Sequence, residues 1–373
     1  MGVDDRLAGR VAAIGASGIR RIFDLAANLK DPIDLSIGQP HYDVPVPVKR
    51  AATAAIDAGF NRYTASGGIS ELRTRIGTVF PELVRDGREI MVTSGVSGGI
   101  VLALLALVDP GDEVLIPDPG FVSYQHVVRM LGGIPVFWDT YPDFRFHAER
   151  IPALVTPRTK VIIVNSPSNP TGMVYTAAEI AQAAALCRAH GIIPIADETY
   201  RSFAYDHPAV SLLDHFPDTV VLRGFSKDYA MTGWRMGYVS ASPGIVNAMI
   251  KLQQFTFVNA PSFAQKACLT ALDVDISAEV GGYVRKRDLV YEGLRDAIPM
   301  VRPEGAFYCF PRAPWGTGTE FVMRAVEENL LMVPGGAFSR LDTHFRISFA
   351  ASDDKLEQGI AILRRIAAAA PRP

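Results

Sequence analysis

Cysteine is scarce in this chain of 373 residues, with only 3 present: Cys187, Cys268 and Cys309. They form neither a metal-ligand spacing nor a disulfide framework, and an odd, scattered set suits a reducing compartment. A surplus of basic charge is missing as well. The 37 Lys and Arg are balanced by 39 Asp and Glu for a formal charge of -2, which removes the electrostatic footprint of a nucleic-acid binder. Long hydrophobic runs are absent: stretches such as Ile100–Val108 fall well short of the ~20 apolar residues that a membrane span requires. The N-terminus Met1–Arg6 lacks the charged-then-apolar pattern of a secretion signal, so a cytoplasmic location is expected. No G-x-G-x-x-G opens an early helix after a strand, which argues against a nicotinamide dehydrogenase. Internal repeats, low-complexity linkers and long charge blocks are not found. What remains is a chain 49% apolar, ample for a large core and one or two domains.

The most informative segment is Ser226-Lys227-Asp228-Tyr229-Ala230-Met231-Thr232-Gly233-Trp234-Arg235. A lysine becomes a Schiff-base former when burial or cationic neighbours destabilise its ammonium, and a nearby arginine fork suits a phosphate monoester. Pyridoxal 5'-phosphate is the cofactor that needs both. Upstream, the β-branched run Ile192–Ala196 ends in Asp197, as when a strand delivers an acid to the mouth of an α/β sheet. A carboxylate there would keep a pyridine nitrogen protonated, so that the ring can accept electrons. Before it, Val161–Val164 reads as a buried strand feeding the Pro-rich turn Asn165-Ser166-Pro167-Ser168-Asn169-Pro170. Prolines fix such a turn and let an amide such as that of Asn169 face a ligand with little entropy left to lose. Asn169 is a candidate donor to the cofactor's phenolic oxygen, and Tyr200, three residues past Asp197, is a candidate second donor to it.

In order and spacing, Asn165 to Gly172, Asp197 to Tyr200, and Ser226-Lys227 with Arg235 resemble the fold type I, class I/II aminotransferases of the aspartate aminotransferase family. The resemblance extends over nearly the whole chain. It implies that Lys227 is the Schiff-base lysine, Asp197 the pyridine-nitrogen partner, Tyr200 and Asn169 donors to the phenolic oxygen, and Ser226 and Arg235 phosphate ligands. Phe121 matches the aromatic that stacks on the pyridine face, and Tyr63 the tyrosine that reaches the phosphate of a neighbouring subunit in a homodimer. Arg346 and Gly38 match groups that hold the substrate α-carboxylate, where an arginine fork would also orient the Cα–H bond. The turn Gly95-Val96-Ser97 follows the strand-like Glu89–Val92 and opens an apolar helix. Free backbone N–H groups at a helix N-terminus form an anion site whatever the family, so these three residues are expected to cradle the phosphate.

Strand-like runs, including Val220–Leu222, alternate with helix-like ones, as a largely parallel α/β sheet requires. One helix is sharply delimited: Thr176 and Glu179 form a capping box, Ile180, Ala184 and Cys187 share a face, and Gly191 ends it. The resemblance implies a large domain at 40–275, with a mostly parallel seven-stranded sheet flanked by helices. A smaller α/β domain would combine 1–39 with 276–373. It also implies transfer of an amino group from an L-amino acid to a 2-oxo acid such as 2-oxoglutarate.

Relatives that favour aspartate recognise its distal carboxylate with a second cation. Here Ser97 stands where some carry a lysine, and Lys251 to Lys266 contains no arginine. The segment Ser17–Ala27, with Phe121 and Met231–Trp234, looks most like broad or aromatic-preferring members. Aspartate transamination, and carbon–sulfur β-elimination on the same scaffold, are the alternatives.

Overall fold

The computed structural model describes residues 6–12, 14 and 29–369. The segment Ser17–Ala27 therefore lies outside the described residues. The central element is a seven-stranded sheet built from β1 (Glu89–Ser94), β2 (Glu113–Asp118), β3 (Ile134–Asp139), β4 (Thr159–Asn165), β5 (Ile193–Asp197), β6 (Val220–Gly224) and β7 (Met236–Ala241). Its spatial order is β1-β7-β6-β5-β4-β2-β3. Strand β7 runs antiparallel to both its neighbours, and the remaining pairings are parallel. Near-continuous burial along β2, β4 and β5 explains their unbroken apolar runs, because a parallel sheet is covered on both faces.

Helix α1 (Gly95–Leu107) follows β1 directly and packs against β6 and β7. Helix α2 (Ala177–His190) begins and ends as its sequence requires. Thr176 accepts from the backbone of Glu179, the Glu179 side chain answers to the Thr176 backbone, and Gly191 closes the helix at φ 65°. Its buried face is Ile180, Ala183, Ala184, Leu186 and Cys187.

The C-terminal part forms a three-stranded antiparallel sheet in which β10 (Phe345–Ser348) lies between β8 (Tyr308–Cys309) and β9 (Val333–Pro334). Ile33–Asp34 pairs in parallel with Leu330–Leu331, which ties the N-terminal segment to the end of the chain. Helices α3 (Ser277–Leu294) and α4 (Asp353–Ala368) pack on each other beside these strands. One apolar cluster joins Leu35 to residues between Tyr283 and Ile366, with Tyr200 and Phe203 reaching into it. Three others fill the region from Val44 to Ala271.

All four residues of β10 are buried. Arg346 is thus an interior arginine, 2% exposed, and an interior guanidinium requires partners on every side.

Candidate active site

The carboxyl edge of the sheet gathers the predicted residues because parallel strands end their polar turns on the same side. Asn165 ends β4 opposite Asp197, which ends β5, and Asp197 is in register with Leu222 of β6. Ser226 and Lys227 follow two and three residues after β6 ends. Arg235 arrives by a different route. It precedes β7, whose antiparallel course puts its beginning at this edge, with Met236 paired to Ser94 and Gly237 to Gly224.

These turns enclose a cavity of about 270 Å³. Gly38, Val96, Ser97, Phe121, Asn169, Asp197, Tyr200, Ser226, Lys227, Arg235 and Arg346 line it. Two expected residues are not in the wall. Gly95 sits just behind it, and its N–H is already given to the Arg235 carbonyl at 3.0 Å. The expected cradle of three free amides is therefore corrected: Gly95 supplies the turn, at φ 65°, and the open N–H groups of α1 begin at Val96. Tyr63 is 85% exposed and lies in a separate surface groove with Phe257, Val258 and Phe263, outside the cavity of its own chain.

Lys227 Nζ donates to the Gly38 carbonyl at 2.6 Å. Burial, with the Arg346 and Arg235 guanidinium groups nearby, brings its pKa down to about 8, as is required for an amine that must attack a carbonyl at neutral pH. Asp197 is buried, and burial raises its pKa against the opposing bonds from Thr199 and Tyr124. Tyr124 Oη donates to one carboxylate oxygen at 2.7 Å, and the Thr199 hydroxyl and N–H donate to the other. Among the described residues no cation pairs with Asp197 at ion-pair distance.

Arg346 donates from Nη1 to Asn169 Oδ1 at 3.1 Å and from Nη2 to the Ser36 carbonyl. Both partners are neutral oxygens, and its buried Nε has no partner. Asn169 is held from below, its N–H bonded to Asn165 Oδ1, while Asn165 Nδ2 donates to the Asp197 carbonyl. Phe121 meets Tyr124 edge-on at 5.5 Å. Tyr200 Oη lies 2.8 Å from Tyr308 Oη.

Sequence reasoning did not single out Tyr124, Thr199, Thr232 or Tyr308, which also line the cavity. Thr199 was accessible in principle, since a hydroxyl two residues past an Asp suits a local turn. Tyr124 lies three residues past Phe121, which stands just before a helix, and the Tyr124 N–H donates to the Phe121 carbonyl at 3.1 Å, a turn that keeps the two rings together. Tyr308 carries no local signal, because it reaches the site through pairing of β8 with β10.

Pyridoxal phosphate fits this residue set on structural grounds. Among the described residues the cavity wall carries Lys227, Arg235 and Arg346 against the single acid Asp197, an imbalance suited to a phosphate and a carboxylate. Asp197, buried and lacking a cation, suits a protonated ring nitrogen. A Cβ at Gly237 would lie 2.5 Å from the Gly95 carbonyl carbon and 2.7 Å from Val96 N. Glycine thus lets β7 press Arg235 onto the start of α1, where N–H groups and a guanidinium converge on one anion position.

Comparison with known proteins agrees. Residues 30–363 match the family described as aminotransferase class I and II. The chain is 37% identical over 374 residues to the probable aspartate aminotransferase of Methanocaldococcus jannaschii, covering 96% of this chain and 99% of that one. It is 35% identical to aromatic-amino-acid aminotransferase 2 of Thermococcus litoralis, covering 96% and 98%. The structure of Thermus thermophilus aspartate aminotransferase with maleate superposes with a TM-score of 0.91 at 32% identity, over 96% of this chain and 99% of that one. The chain belongs to the class I and II aminotransferases, enzymes that use pyridoxal phosphate to transfer amino groups.

Proposed function

We propose that this aminotransferase takes its amino group from an L-amino acid with an apolar or aromatic side chain and delivers it to a 2-oxo acid such as 2-oxoglutarate. The observation that carries the reading is the allocation of cations. Among the described residues, Lys227 is reserved for the cofactor and Arg235 stands against the start of α1, which leaves Arg346 as the lining cation for substrate. One guanidinium accounts for one carboxylate, and the remaining wall includes Ile37, Ile100 and Phe121. Ser97, on the turn, offers no charge to a distal carboxylate.

Bound pyridoxal phosphate supplies an electrophilic carbon and an electron-accepting ring. In our reading the chain's residues do the rest. Lys227 is the covalent attachment point and, when released, its Nζ takes the substrate Cα proton. Asp197 keeps the ring nitrogen protonated, with Tyr124 and Thr199 fixing its carboxylate. Asn169, whose Oδ1 faces Arg346, keeps Nδ2 for the phenolic oxygen, and Tyr200 donates beside it. Phe121 covers one ring face. Val96, Ser97, Ser226 and Arg235 hold the phosphate. Arg346 and Gly38 hold the α-carboxylate, which sets the Cα–H bond toward Lys227. Tyr63, exposed beside Phe257 and Val258, is assigned to the site of a second copy in a homodimer.

A panel of amino donors against 2-oxoglutarate tests the substrate assignment. Phenylalanine or tyrosine should exceed aspartate in kcat/KM by about tenfold or more, the discrimination expected when a carboxylate meets no cation in an apolar pocket. An aspartate preference would refute the allocation. Pyruvate release from cystathionine at a rate exceeding amino transfer would assign the scaffold to β-elimination instead.

A further inference from the structure

Tyr308 touches three parts of the site at once, and neither its type nor its sequence position announces it. It is 1% exposed and sits on β8, paired with the strand that carries Arg346: Tyr308 faces Ser348 and Cys309 faces Ile347. The Arg346 guanidinium carbon lies 4.5 Å from the Tyr308 ring centroid and 4.7 Å from that of Phe338. The cation is thus clasped between two aromatic faces, with Asn169 and Ser36 as its polar partners. The Tyr308 hydroxyl lies 2.8 Å from that of Tyr200, with the rings crossed at 84°. On its third side Tyr308 Oη occupies space that any Cβ at Gly38 would invade, and the Gly38 carbonyl is the group that accepts from Lys227 Nζ.

We infer that Tyr308 is a positioning residue with two separable duties: its ring holds the Arg346 fork flat for the substrate carboxylate, and its hydroxyl donates to Tyr200 Oη. The inference rests on the roles proposed above for Arg346 and Tyr200. The direction of the hydroxyl bond follows from proton count. A Tyr200 that donates its single proton to the cofactor's phenolic oxygen can only accept from Tyr308. A donor that itself accepts a hydrogen bond is polarised and becomes a stronger donor. Burial holds both phenols above their ordinary pKa, so both remain protonated across the working range. The charged or titratable groups facing this pair among the described residues are Arg346, Asp197, Tyr124 and Tyr283, with Lys227 Nζ 5.8 Å over the Tyr200 ring.

Removing only the hydroxyl and removing the whole ring therefore have different consequences, and two measurements on the holoenzyme separate them. One is the pH midpoint of the bound cofactor's absorbance change. The other is the Kd of 3-phenylpropanoate, a monocarboxylate without an amino group, followed by the same absorbance. Tyr308→Phe should move the midpoint upward by about half a unit or more, because a weaker Tyr200 donor stabilises the deprotonated form less. Its Kd should stay within about twofold, because the ring under Arg346 is retained. Tyr308→Leu should raise the Kd by about fivefold or more, the scale of a buried cation–π contact. In Tyr200→Phe, adding Tyr308→Phe should move the midpoint no further, because the hydroxyl acts only through Tyr200.

A Tyr308→Phe midpoint equal to wild type, or a shift that adds fully to that of Tyr200→Phe, overturns the hydroxyl duty. Unchanged Kd in Tyr308→Leu overturns the ring duty. Arg346→Lys keeps the two failures apart. If it too binds 3-phenylpropanoate as wild type does, the carboxylate assignment itself is wrong; if it loses about tenfold or more while Tyr308→Leu does not, only the positioning role falls.

Discussion

Lys227 shows how far a side chain's chemistry is set by its surroundings. An ordinary lysine amine titrates at 10.5, and this one titrates at about 8 because burial and two guanidinium groups disfavour its charge. Its folded value lies below the ordinary one, so the neutral nucleophile accumulates as pH rises through about 8. Capture of pyridoxal phosphate by the apoenzyme, measured by stopped-flow absorbance, should therefore accelerate up to about pH 8 and level off above it. Continued acceleration toward pH 10 would indicate an unperturbed amine. Lys227→Ala should lose about 10³-fold or more in turnover. Lys227, Asp197 and Arg235 were legible as residues of one cavity wall because each stands in a short segment whose residue types and spacing suit one cofactor. Arg346 was legible as a candidate, but its interior setting was not, since its burial comes from strands 308–309 and 333–334 packed on either side.

Among elements, β7 decides the most. Its antiparallel course brings its first residues, rather than its last, to the edge where the other strands end. That inversion lets one short segment supply both Lys227, after β6, and Arg235, before β7. The fit is tight at Gly237, whose Cα faces the Gly95–Val96 backbone. Gly237→Ala forces a methyl against main chain that cannot rotate away, at a cost of about 1–3 kcal/mol. The holoenzyme Tm should fall, and the cofactor Kd from equilibrium dialysis should rise about tenfold as α1 and Arg235 separate. A variant with native cofactor affinity would detach the phosphate position from this contact. Helix α2, by contrast, was readable to its last residue, because a capping box and a left-handed glycine are local events within a few residues of each other.

For the whole molecule, we propose the two-domain partition 40–275 against 1–39 with 276–373, supported by the cluster that joins Leu35 to residues between Tyr283 and Ile366, while Phe144 and Met173 cluster with Phe310, Val333 and Phe338 across the boundary. Tyr200 and Phe203 reach across it into the C-terminal cluster, so the cavity lies where the two cores meet. The exposed Tyr63 and its neighbours Phe257 and Val258 support the dimer assigned above. If Tyr63 serves a neighbour's site, Lys227→Ala and Tyr63→Ala subunits carry complementary defects. Their co-expressed heterodimer should hold one intact site and exceed the activity of either homodimer several-fold. Activity no greater than the mean of the two homodimers, with heterodimer shown by differential tags, would place Tyr63 outside the shared site. Among the described residues no helix is long and apolar enough to cross a membrane.

By itself the sequence determined the chemistry and the class of fold. The lysine, acid, amide and arginine stand in turns whose spacing is covalent, and strand and helix periodicity is written in neighbouring residues. Only the tertiary structure decided which of these groups are already engaged: that Gly95 has given its N–H to Arg235, that Arg346 is clasped by Tyr308 and Phe338, and that Tyr63 faces away. The reason is range. Propensity and capping act over a few residues, whereas burial, hydrogen-bond occupancy and pKa depend on segments hundreds of residues apart that meet only when the chain has folded.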